Sequence, residues 1–257
     1  MMIGHEENKL AVVIVTYNSL KFIGACLESL KKINLDYDIF ISDNNSTDAT
    51  LSVAHAYGAN IISNKENLGY SKAINNAAAE ISSSVYSHIL ILNPDVVLGD
   101  VDFRKLIGID SSDNIIGIKM RDSNDNVRIN SYNFPNMLNT LFVRMRLHKP
   151  ADNYGVVDTV EGSFMLMATS IFKSIGGFDE GIFLYGEDYE FCYRAKLAGY
   201  GVKVIPDYYY YHDGGFDPTR TKFIYKGVEY FFFKHKPKYQ YYWIKFLFGV
   251  KKVLKGL

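Results

Sequence analysis

Two side chains that could bind a metal ion follow a strongly apolar stretch of the chain. Asn93 and Asp95, separated by Pro94, come directly after the apolar run 89–92. Such a run predicts a strand buried on both faces, and the proline marks its carboxyl end. Ligands of open α/β sheets bind at that edge, where a hard divalent cation could bridge these oxygens and a diphosphate. Taken alone, the three residues are more commonly a plain turn out of a strand.

Similar polar clusters follow two other predicted strands. The strand 10–16 ends at Tyr17-Asn18-Ser19 before a helical pattern, and the strand 38–42 ends in the polar segment 43–48. Asp43 is the first residue after its strand, where a carboxylate can accept a hydrogen bond from a ribose or a base. Turn and helix-capping chemistry would also explain part of this cluster.

A third strand and helix pair carries features of an anion site. The short strand 60–63 is followed by Asn67-Leu68-Gly69-Tyr70 and a helix rich in small residues. Free backbone N–H groups in the first turn of that helix, with Lys72 beside them, predict a site for a phosphate group.

Two acidic residues and a histidine stand out in the second half of the chain. Glu187 and Asp188 follow the aromatic segment 183–186, at the start of a helix that ends at Gly199 or Gly201. Acids at a helix start commonly only complement the helix dipole. His212 follows four tyrosines, where a packed and hydrogen-bonded histidine is the usual finding.

These residues require an α/β scaffold to bring them together. The alternation of strand, loop and helix up to about residue 100 predicts a mostly parallel sheet with helices on both faces. From residue 101 the pattern predicts a short helix at 103–107 and strands at 114–120, 126–131, 156–160, 163–168 and 202–205, the last closed by Pro206. The segment 132–154 has no clear period and is predicted to be a loop or short helix over the site that meets an acceptor. Neither Gly-x-Gly-x-x-Gly nor Gly-Lys-Ser/Thr occurs in the nucleotide-type half, which argues against dinucleotide oxidoreductases and P-loop enzymes.

Composition narrows the class of protein. The 257 residues contain 28 basic and 28 acidic side chains, so the overall charge does not suggest a nucleic-acid partner. Nine lysines nevertheless fall within residues 222–257 among many aromatic side chains. Such a segment suits an anionic membrane surface, although ordinary helix packing must account for part of it. Cys26 and Cys192 lack metal-ligand spacing and are interpreted as reduced core residues of a cytosolic protein.

The order of these motifs, from about Leu10 to Gly215, resembles the family 2 glycosyltransferases of the GT-A fold. The Asn-Pro-Asp form and the segment 183–194 are most similar to bacterial rhamnosyltransferases. The resemblance implies an α/β fold, a single Rossmann-like GT-A domain with a mixed, mostly parallel central sheet and a helical C-terminal extension. The GT-A domain would span residues 1–221, with a nucleotide-binding half at about 9–100 and an acceptor half at 101–221, and the extension would span 222–257.

The resemblance also implies roles for individual residues. Asp188 would be the catalytic base, Mg²⁺ or Mn²⁺ would be held by Asp95 and His212, and the acceptor side would include Glu187, Tyr185 and Gly162. The donor nucleotide would be bound by Thr16, Tyr17, Asn18, Asp43, Asn67, Gly69, Lys72, Asn93 and Asp95. Many relatives have Asp at the position of Asn93, so this chain offers the metal one carboxylate fewer.

The implied function is that of an inverting, metal-dependent glycosyltransferase. It would move L-rhamnose from dTDP-rhamnose to a hydroxyl of a glycan or lipid-linked oligosaccharide in bacterial surface polysaccharide synthesis. It would work in the cytoplasm, peripherally on the inner face of the plasma membrane, with no nucleic-acid partner. Two alternatives stay open: a UDP-hexose or UDP-N-acetylhexosamine donor, and a non-catalytic nucleotide-sugar-binding module. A module of the latter kind would not need a base.

Overall fold

One central sheet carries all the strands in the described part of the chain, residues 9–141, 155–213 and 221–255 of the computed structural model. The strands are β1 (Leu10–Thr16), β2 (Tyr37–Asp43), β3 (Asn60–Ser63), β4 (His88–Leu92), β5 (Val97–Leu98), β6 (Asn114–Arg121), β7 (Val127–Arg128), β8 (Phe164–Ala168) and β9 (Gly201–Tyr211). The helices are α1 (Leu20–Leu30), α2 (Thr50–Ala56), α3 (Tyr70–Ala79), α4 (Phe103–Asp110), α5 (Met137–Leu141), α6 (Thr169–Ile175), α7 (Glu187–Leu197), α8 (Thr221–His235) and α9 (Lys238–Lys255).

The sheet is parallel in its first half and mixed in its second. Its order is β3-β2-β1-β4-β8-β6-β9-β5, and β7 pairs with β6 outside this path. Strands β1 to β4 run parallel, β8 is antiparallel to both of its neighbours, and β9 is again parallel to β6. The predicted fold class is confirmed.

Alternation along β1 explains why its sequence is apolar throughout. Val12 and Ile14 belong to the core under α1 and α4, whereas Ala11 and Val13 belong to the core under α3, α6 and α7. All four side chains are fully buried. Because successive residues of a strand point to opposite faces, a sheet covered on both sides needs apolar residues at every position.

The end of β9 differs from the prediction. We expected the strand to stop before Pro206, but it continues to Tyr211. The pairing with β6 jumps from Ile118–Ile205 to Lys119–Tyr209, so the residues between them bulge out of the ladder. A proline lacks the N–H that a ladder needs, and a bulge does not require it. The extended strand carries His212 to the sheet edge, where its N–H donates to the Arg121 carbonyl at 2.8 Å.

Three other predictions in the second half need correction or lie outside the described chain. The strand predicted at 156–160 is wrong, since only Val156 forms an isolated bridge, to Lys203. The strand predicted at 126–131 shrinks to the two residues of β7. Of the segment 132–154, predicted to be a loop or short helix, residues 137–141 form the short helix α5 and residues 142–154 lie outside the described part.

The last two helices pack on α7 through an aromatic core. The buried side chains of this third core come from α7, α8 and α9: Tyr189, Val228, Phe231, Phe232, Ile244 and Phe248. The Tyr189 and Phe231 rings meet edge to face, with centroids 5.4 Å apart. Within the described residues, no helix has the length and apolar character that crossing a bilayer requires.

A buried charge cluster also joins α7 to α8. Glu190 is fully buried and accepts hydrogen bonds from Arg194 Nε at 2.9 Å, Lys234 Nζ at 3.0 Å and His235 Nε2 at 2.9 Å. Burial by itself would raise the pKa of Glu190, but these bonds and the neighbouring positive charges lower it to about 2. The carboxylate is therefore fully ionised inside the protein, and its partners hold α8 against α7.

Candidate active site

Asp43 organises the loops at the ends of β1 and β2. Thr16 and Asp43 are opposite each other in the parallel ladder, and Thr16 Oγ1 donates to Asp43 Oδ1 at 2.6 Å. The backbone N–H and the hydroxyl of Ser46 donate to the same carboxylate at 2.8 and 2.6 Å. Asp43 is almost completely buried. Its contacts with the chain fold the 43–46 loop over the edge of the sheet at which open α/β sheets bind ligands.

Asn18 fastens the first loop to the second. Its N–H donates to Ser46 Oγ at 2.8 Å, and its Oδ1 accepts from the Thr47 N–H at 2.8 Å. Asn18 adopts φ +50°, a left-handed conformation that asparagine tolerates better than most residues. Tyr17, one residue earlier, is 53% exposed. Its ring is therefore free to stack on a planar group such as a base.

The loop before α3 is held by an asparagine that sequence reasoning did not single out. Asn44 Oδ1 accepts from the Leu68 N–H at 3.2 Å, and its Nδ2 donates to the Gly69 carbonyl at 3.0 Å. Asn67 Oδ1 accepts from the Gly69 N–H at 3.0 Å. Lys72 is exposed in the first turn of α3. The signal in the sequence was the polar segment 43–48, whose second residue had no assigned role.

Gly69 also meets the loop that precedes the acidic pair. It adopts φ +81°, and a Cβ atom there would lie 2.4 Å from the Phe183 carbonyl oxygen. That oxygen accepts from the Tyr70 N–H at 2.7 Å. Only glycine fits this close approach without strain. The donor-side helix and the 181–186 loop are therefore fixed to each other.

Asp95 and His212 lie within hydrogen-bonding distance of each other. His212 Nε2 lies 3.2 Å from Asp95 Oδ1; the histidine side chain is 9% exposed and the aspartate side chain 34%. Burial lowers the pKa of His212, but the hydrogen bond to Asp95 and the charges of Asp95, Glu161 and Asp213 outweigh it, so the pKa is raised overall. The other ring nitrogen, Nδ1, is buried without a hydrogen-bond partner among the described residues.

The pair fits part of a cation site. Among the described residues, no group of three or more His, Cys, Asp or Glu side chains forms a metal cluster. A carboxylate and an imidazole at one point still suit a divalent ion whose remaining ligands are phosphate oxygens and water. Asn93 adjoins this pair at the end of β4, where its N–H donates to the Ser163 carbonyl at 3.2 Å.

Asp188 lies in the first turn of α7, against the backbone that leads into β8. Its Oδ1 accepts from the Tyr189 N–H at 2.8 Å. A Cβ atom added at Gly162 would lie 3.9 Å from the Asp188 Cβ. The Tyr70 hydroxyl donates to the Gly162 carbonyl at 2.8 Å. Gly162 therefore brings α3 and α7 together beside Ser163, the residue that contacts Asn93.

The pKa values of the acidic pair, Glu187 and Asp188, are both raised. Burial, with the Asp188 charge second, raises the pKa of Glu187. Burial also raises the pKa of Asp188, supported by the charge of Glu161 and opposed by backbone N–H groups. An aspartate in this state binds protons more strongly than an ordinary surface aspartate, as a general base should.

One buried phenol is affected by three of the four predicted acids. Burial raises the pKa of Tyr70 well above its ordinary value, and the charges of Glu187, Asp188 and Asp95 raise it further. Asp95 and Asp188, 93 positions apart in the sequence, therefore act on the same group. Tyr70 thus lies between the loop that carries Asp95 and the start of α7.

Glu161 is a further acidic residue that sequence reasoning missed. It accepts a short hydrogen bond from the Tyr132 hydroxyl and a longer one, 3.4 Å, from Ser163 Oγ. Its charge raises the pKa of both Asp188 and His212. It lies next to Gly162, the position that was predicted, but nothing in its spacing distinguished it from a surface glutamate.

The profile of the glycosyl transferase family 2 matches residues 11–176, well over half of the chain. This chain belongs to glycosyl transferase family 2. The predicted family and the predicted enzyme class, a glycosyltransferase, are confirmed. The match covers the donor-side loops, Asn93, Asp95 and Gly162, whereas Asp188 and His212 lie beyond it.

Relatives of this family 2 enzyme include a hexosyltransferase and rhamnosyltransferases. It is 27% identical over 222 residues to the low-salt glycan biosynthesis hexosyltransferase Agl10 of Haloferax volcanii, covering 84% of this chain and 71% of that protein. It is 28% identical to the rhamnosyltransferase WbbL of Escherichia coli K12, and the match covers 78% of this chain and 82% of that protein. It is 26% identical to the N-acetylglucosaminyl-diphospho-decaprenol L-rhamnosyltransferase of Mycobacterium tuberculosis, and the match covers 82% of this chain and 79% of that protein.

Solved structures agree with the fold. S. aureus TarS 1-349 in complex with UDP-GlcNAc aligns with a TM-score of 0.60 at 21% identity over 86% of this chain. The mannosyltransferase PcManGT of Pyrobaculum calidifontis, in complex with GDP-Man and Mn2+, aligns with a TM-score of 0.65 at 14% identity over 90%. The family 2 enzyme spans 64% of each of those solved chains. Identities at this level establish the fold and no more.

Proposed function

We propose that this enzyme is an inverting glycosyltransferase that moves a sugar from a nucleoside diphosphate to an acceptor hydroxyl, with Asp188 as the base. The main support is a series of contacts that links the end of β4, beside Asp95, to Asp188. Asn93 contacts Ser163, and Gly162 next to it contacts Asp188. This supports one cleft with the leaving group at one end and the proton acceptor at the other.

The chemistry is a direct displacement at the anomeric carbon. The acceptor oxygen forms a bond to that carbon while its proton passes to an Asp188 carboxylate oxygen. The bond from the carbon to the diphosphate oxygen breaks, and its electron pair leaves with the diphosphate. The raised pKa of Asp188 supports this role, because a base near the operating pH is the most effective. No covalent intermediate is required.

We assign Asp95 and His212 to the diphosphate end. A Mg²⁺ or Mn²⁺ ion bound there would neutralise the charge that develops on the leaving group. With Asn93 in place of a carboxylate, the protein supplies few charged ligands. The ion would then depend on the nucleotide for much of its coordination, and its affinity for the free enzyme would be low.

The donor we propose is dTDP-rhamnose. Two rhamnosyltransferases among the curated relatives support it. The second candidate is a UDP-hexose or UDP-N-acetylhexosamine, which the hexosyltransferase relative favours. The acceptor we propose is a glycan or a lipid-linked oligosaccharide in surface polysaccharide synthesis, since one relative is named as an N-acetylglucosaminyl-diphospho-decaprenol L-rhamnosyltransferase.

A membrane location is proposed from the outer face of α9. A stripe on this helix, opposite to the buried Ile244 and Phe248, exposes five large apolar side chains. We call it the α9 stripe: Tyr239, Tyr242, Trp243, Phe246 and Val250. These positions recur at helical spacing, and Lys238 and Lys245 flank them. Such a helix lies in a headgroup layer with its aromatic face down, so we propose peripheral contact with an anionic membrane.

Donor screening tests the proposal. Melting temperature and donor hydrolysis are measured with dTDP-rhamnose, UDP-glucose, UDP-N-acetylglucosamine and GDP-mannose, with and without Mn²⁺. We expect dTDP-rhamnose to raise the melting temperature and to be hydrolysed slowly, both more strongly with Mn²⁺. A response confined to a UDP sugar selects the second candidate. If no nucleotide sugar binds or is hydrolysed, the proposed activity is wrong.

A further inference from the structure

A mainly apolar cavity lies on the other side of the loop that leads to the acidic pair. Its volume is about 630 Å³, within the usual range of ligand pockets. One wall is the segment 181–184, and the opposite wall is formed by α8 and the start of α9. We call it the tail pocket, and its main aromatic lining residues are Phe183, Phe223, Tyr230, Phe233 and Tyr241.

The tail pocket is coupled to the candidate active site through its own wall. Phe183 stacks on Phe223 inside the pocket, with ring centroids 5.4 Å apart. The backbone carbonyl of Phe183 accepts a hydrogen bond from the Tyr70 N–H, in α3, at 2.7 Å. Asp188 follows this wall by only a few residues. A molecule seated in the pocket therefore lies next to the loop that ends at the proposed base.

Aromatic contacts also connect the tail pocket to the α9 stripe. Phe233 is 65% exposed and meets Tyr241 with centroids 5.4 Å apart. Tyr241 in turn meets Tyr242 of the stripe at 5.2 Å. The apolar surface is thus continuous from the face proposed to meet lipid into the pocket. A hydrocarbon chain could follow these rings, passing the Lys245 ammonium that lies 5.7 Å from the Tyr241 ring centroid.

Basic groups stand beside the apolar lining. Lys226 and Glu229 are the charged residues of the wall, and the Lys222 ammonium lies 5.1 Å from the Phe223 ring centroid. These three side chains carry a net positive charge. Such an environment suits a ligand with an anionic head and a hydrocarbon tail better than a neutral sugar or a second apolar helix.

We infer that the tail pocket binds the hydrocarbon chain of a diphosphate-linked lipid acceptor. The inference rests on the proposed function, which it deepens by naming how the acceptor is held. The chain enters from the α9 stripe, and the 181–186 loop separates it from the acceptor sugar at Asp188. Binding of the tail contributes to acceptor affinity.

The test compares two diphosphates that share a head group. Farnesyl diphosphate and isopentenyl diphosphate are titrated into the full chain by calorimetry, without divalent metal. Because each buried methylene contributes several-fold to affinity, we expect the farnesyl compound to bind at least about 30-fold more tightly. Equal affinities would overturn the inference. Since no donor is present, the result does not depend on the outcome of the donor screen.

Three variants locate the binding site. Phe223→Ser/Phe233→Ser should weaken farnesyl diphosphate binding at least about tenfold by removing buried apolar surface. Phe22→Ser on α1 should leave it unchanged, and Trp243→Ser/Phe246→Ser on the α9 stripe, along which the chain enters, should weaken it less than the pocket variant does. Loss in the stripe variant alone would assign the binding to that surface and overturn the inference. If the double pocket variant fails to fold, Phe233→Ser alone, at a largely exposed position, decides by the same comparison.

Discussion

At the scale of single residues, the site depends on carboxylates whose surroundings differ. Asp43 is saturated by hydroxyl and backbone donors and shapes a loop. The hydrogen-bonding and positively charged partners of Glu190 lower its pKa to about 2, and the residue joins two helices. The pKa of Asp188 is raised by burial beside a glutamate. The Asp188 carboxylate therefore takes up a proton more readily than an ordinary surface aspartate does.

Asp188→Asn is the direct test of the base. The change keeps the size of the side chain but removes its ability to accept the proton, so we expect turnover to fall about 10³-fold. Donor affinity should stay within a few fold, because the nucleotide would lie at the other end of the cleft. Turnover and donor binding are measured separately. Asp100→Asn, an exposed aspartate, is the matched control. Near-normal turnover in Asp188→Asn would refute the assignment.

The pH profile tests the same residue in the unaltered protein. Asp188 must be deprotonated to act, and burial raises its pKa. We therefore expect kcat/KM to rise with pH along a limb that lies above the ordinary aspartate value of about 3.9. Glu161→Gln removes a charge that raises this pKa and should shift the limb to lower pH. A limb that stays in place in Glu161→Gln would contradict the proposed arrangement.

At the scale of elements, parallel strand ends and helix contacts bring distant residues together. β1 and β2 end in register, which sets Thr16 beside Asp43. The loop before α7 is held between two helices, because Gly69 before α3 and Gly227 in α8 both approach its backbone closely. The position of α8 thus controls the position of the loop that delivers Asp188.

Gly227→Ala tests this control. An added Cβ would lie 2.0 Å from the Tyr185 carbonyl oxygen, so α8 or the loop must move. We expect a loss of about 2 kcal/mol in the free energy of unfolding, with a fall in turnover larger than any change in donor affinity. Thermal unfolding and steady-state kinetics measure both.

Gly249→Ala in α9 is the control for that change. Nothing lies within 4 Å of its added Cβ, so it should stabilise the helix by about 0.5 kcal/mol and leave turnover intact. If both alanine variants behaved alike, the close contact at Gly227 would not matter for the site.

At the scale of the whole molecule, the sequence predicted one half of the sheet much better than the other. The bounds of β1 and β3 match the predicted 10–16 and 60–63, since their sequences follow a simple strand and helix alternation. The bulge in β9 and the absence of a strand at 157–160 depend on pairing between distant strands, which local pattern does not encode.

The residues of the candidate site were also predicted unevenly. Residues that directly follow apolar strands, such as Asp43 and Asp95, were found from the chain alone because strand ends are visible in it. Asn44, Tyr70 and Glu161 were not found, since their importance comes from contacts with remote loops. Such contacts exist only after the sheet has formed.

The membrane proposal is tested on the whole protein by liposome flotation. Removing residues 222–257 would expose the buried core around Phe231, so point variants are the better test. Trp243→Ser/Phe246→Ser should lower the bound fraction on anionic liposomes by at least about tenfold, because it removes aromatic surface that enters the headgroup layer. Phe22→Ser is the matched control on another exposed helix. Equal flotation of the three proteins would rule out the α9 stripe as the contact.

The Glu190 cluster also affects how the enzyme is made. Lys234 and His235, which hydrogen-bond to Glu190, leave the ribosome after every strand of the sheet. Until then Glu190 has only Arg194, on its own helix, among these three partners, and the contacts that hold α8 against α7 are missing. Translation products that stop short of α8 would therefore carry an incompletely packed α7 and be open to quality-control proteases.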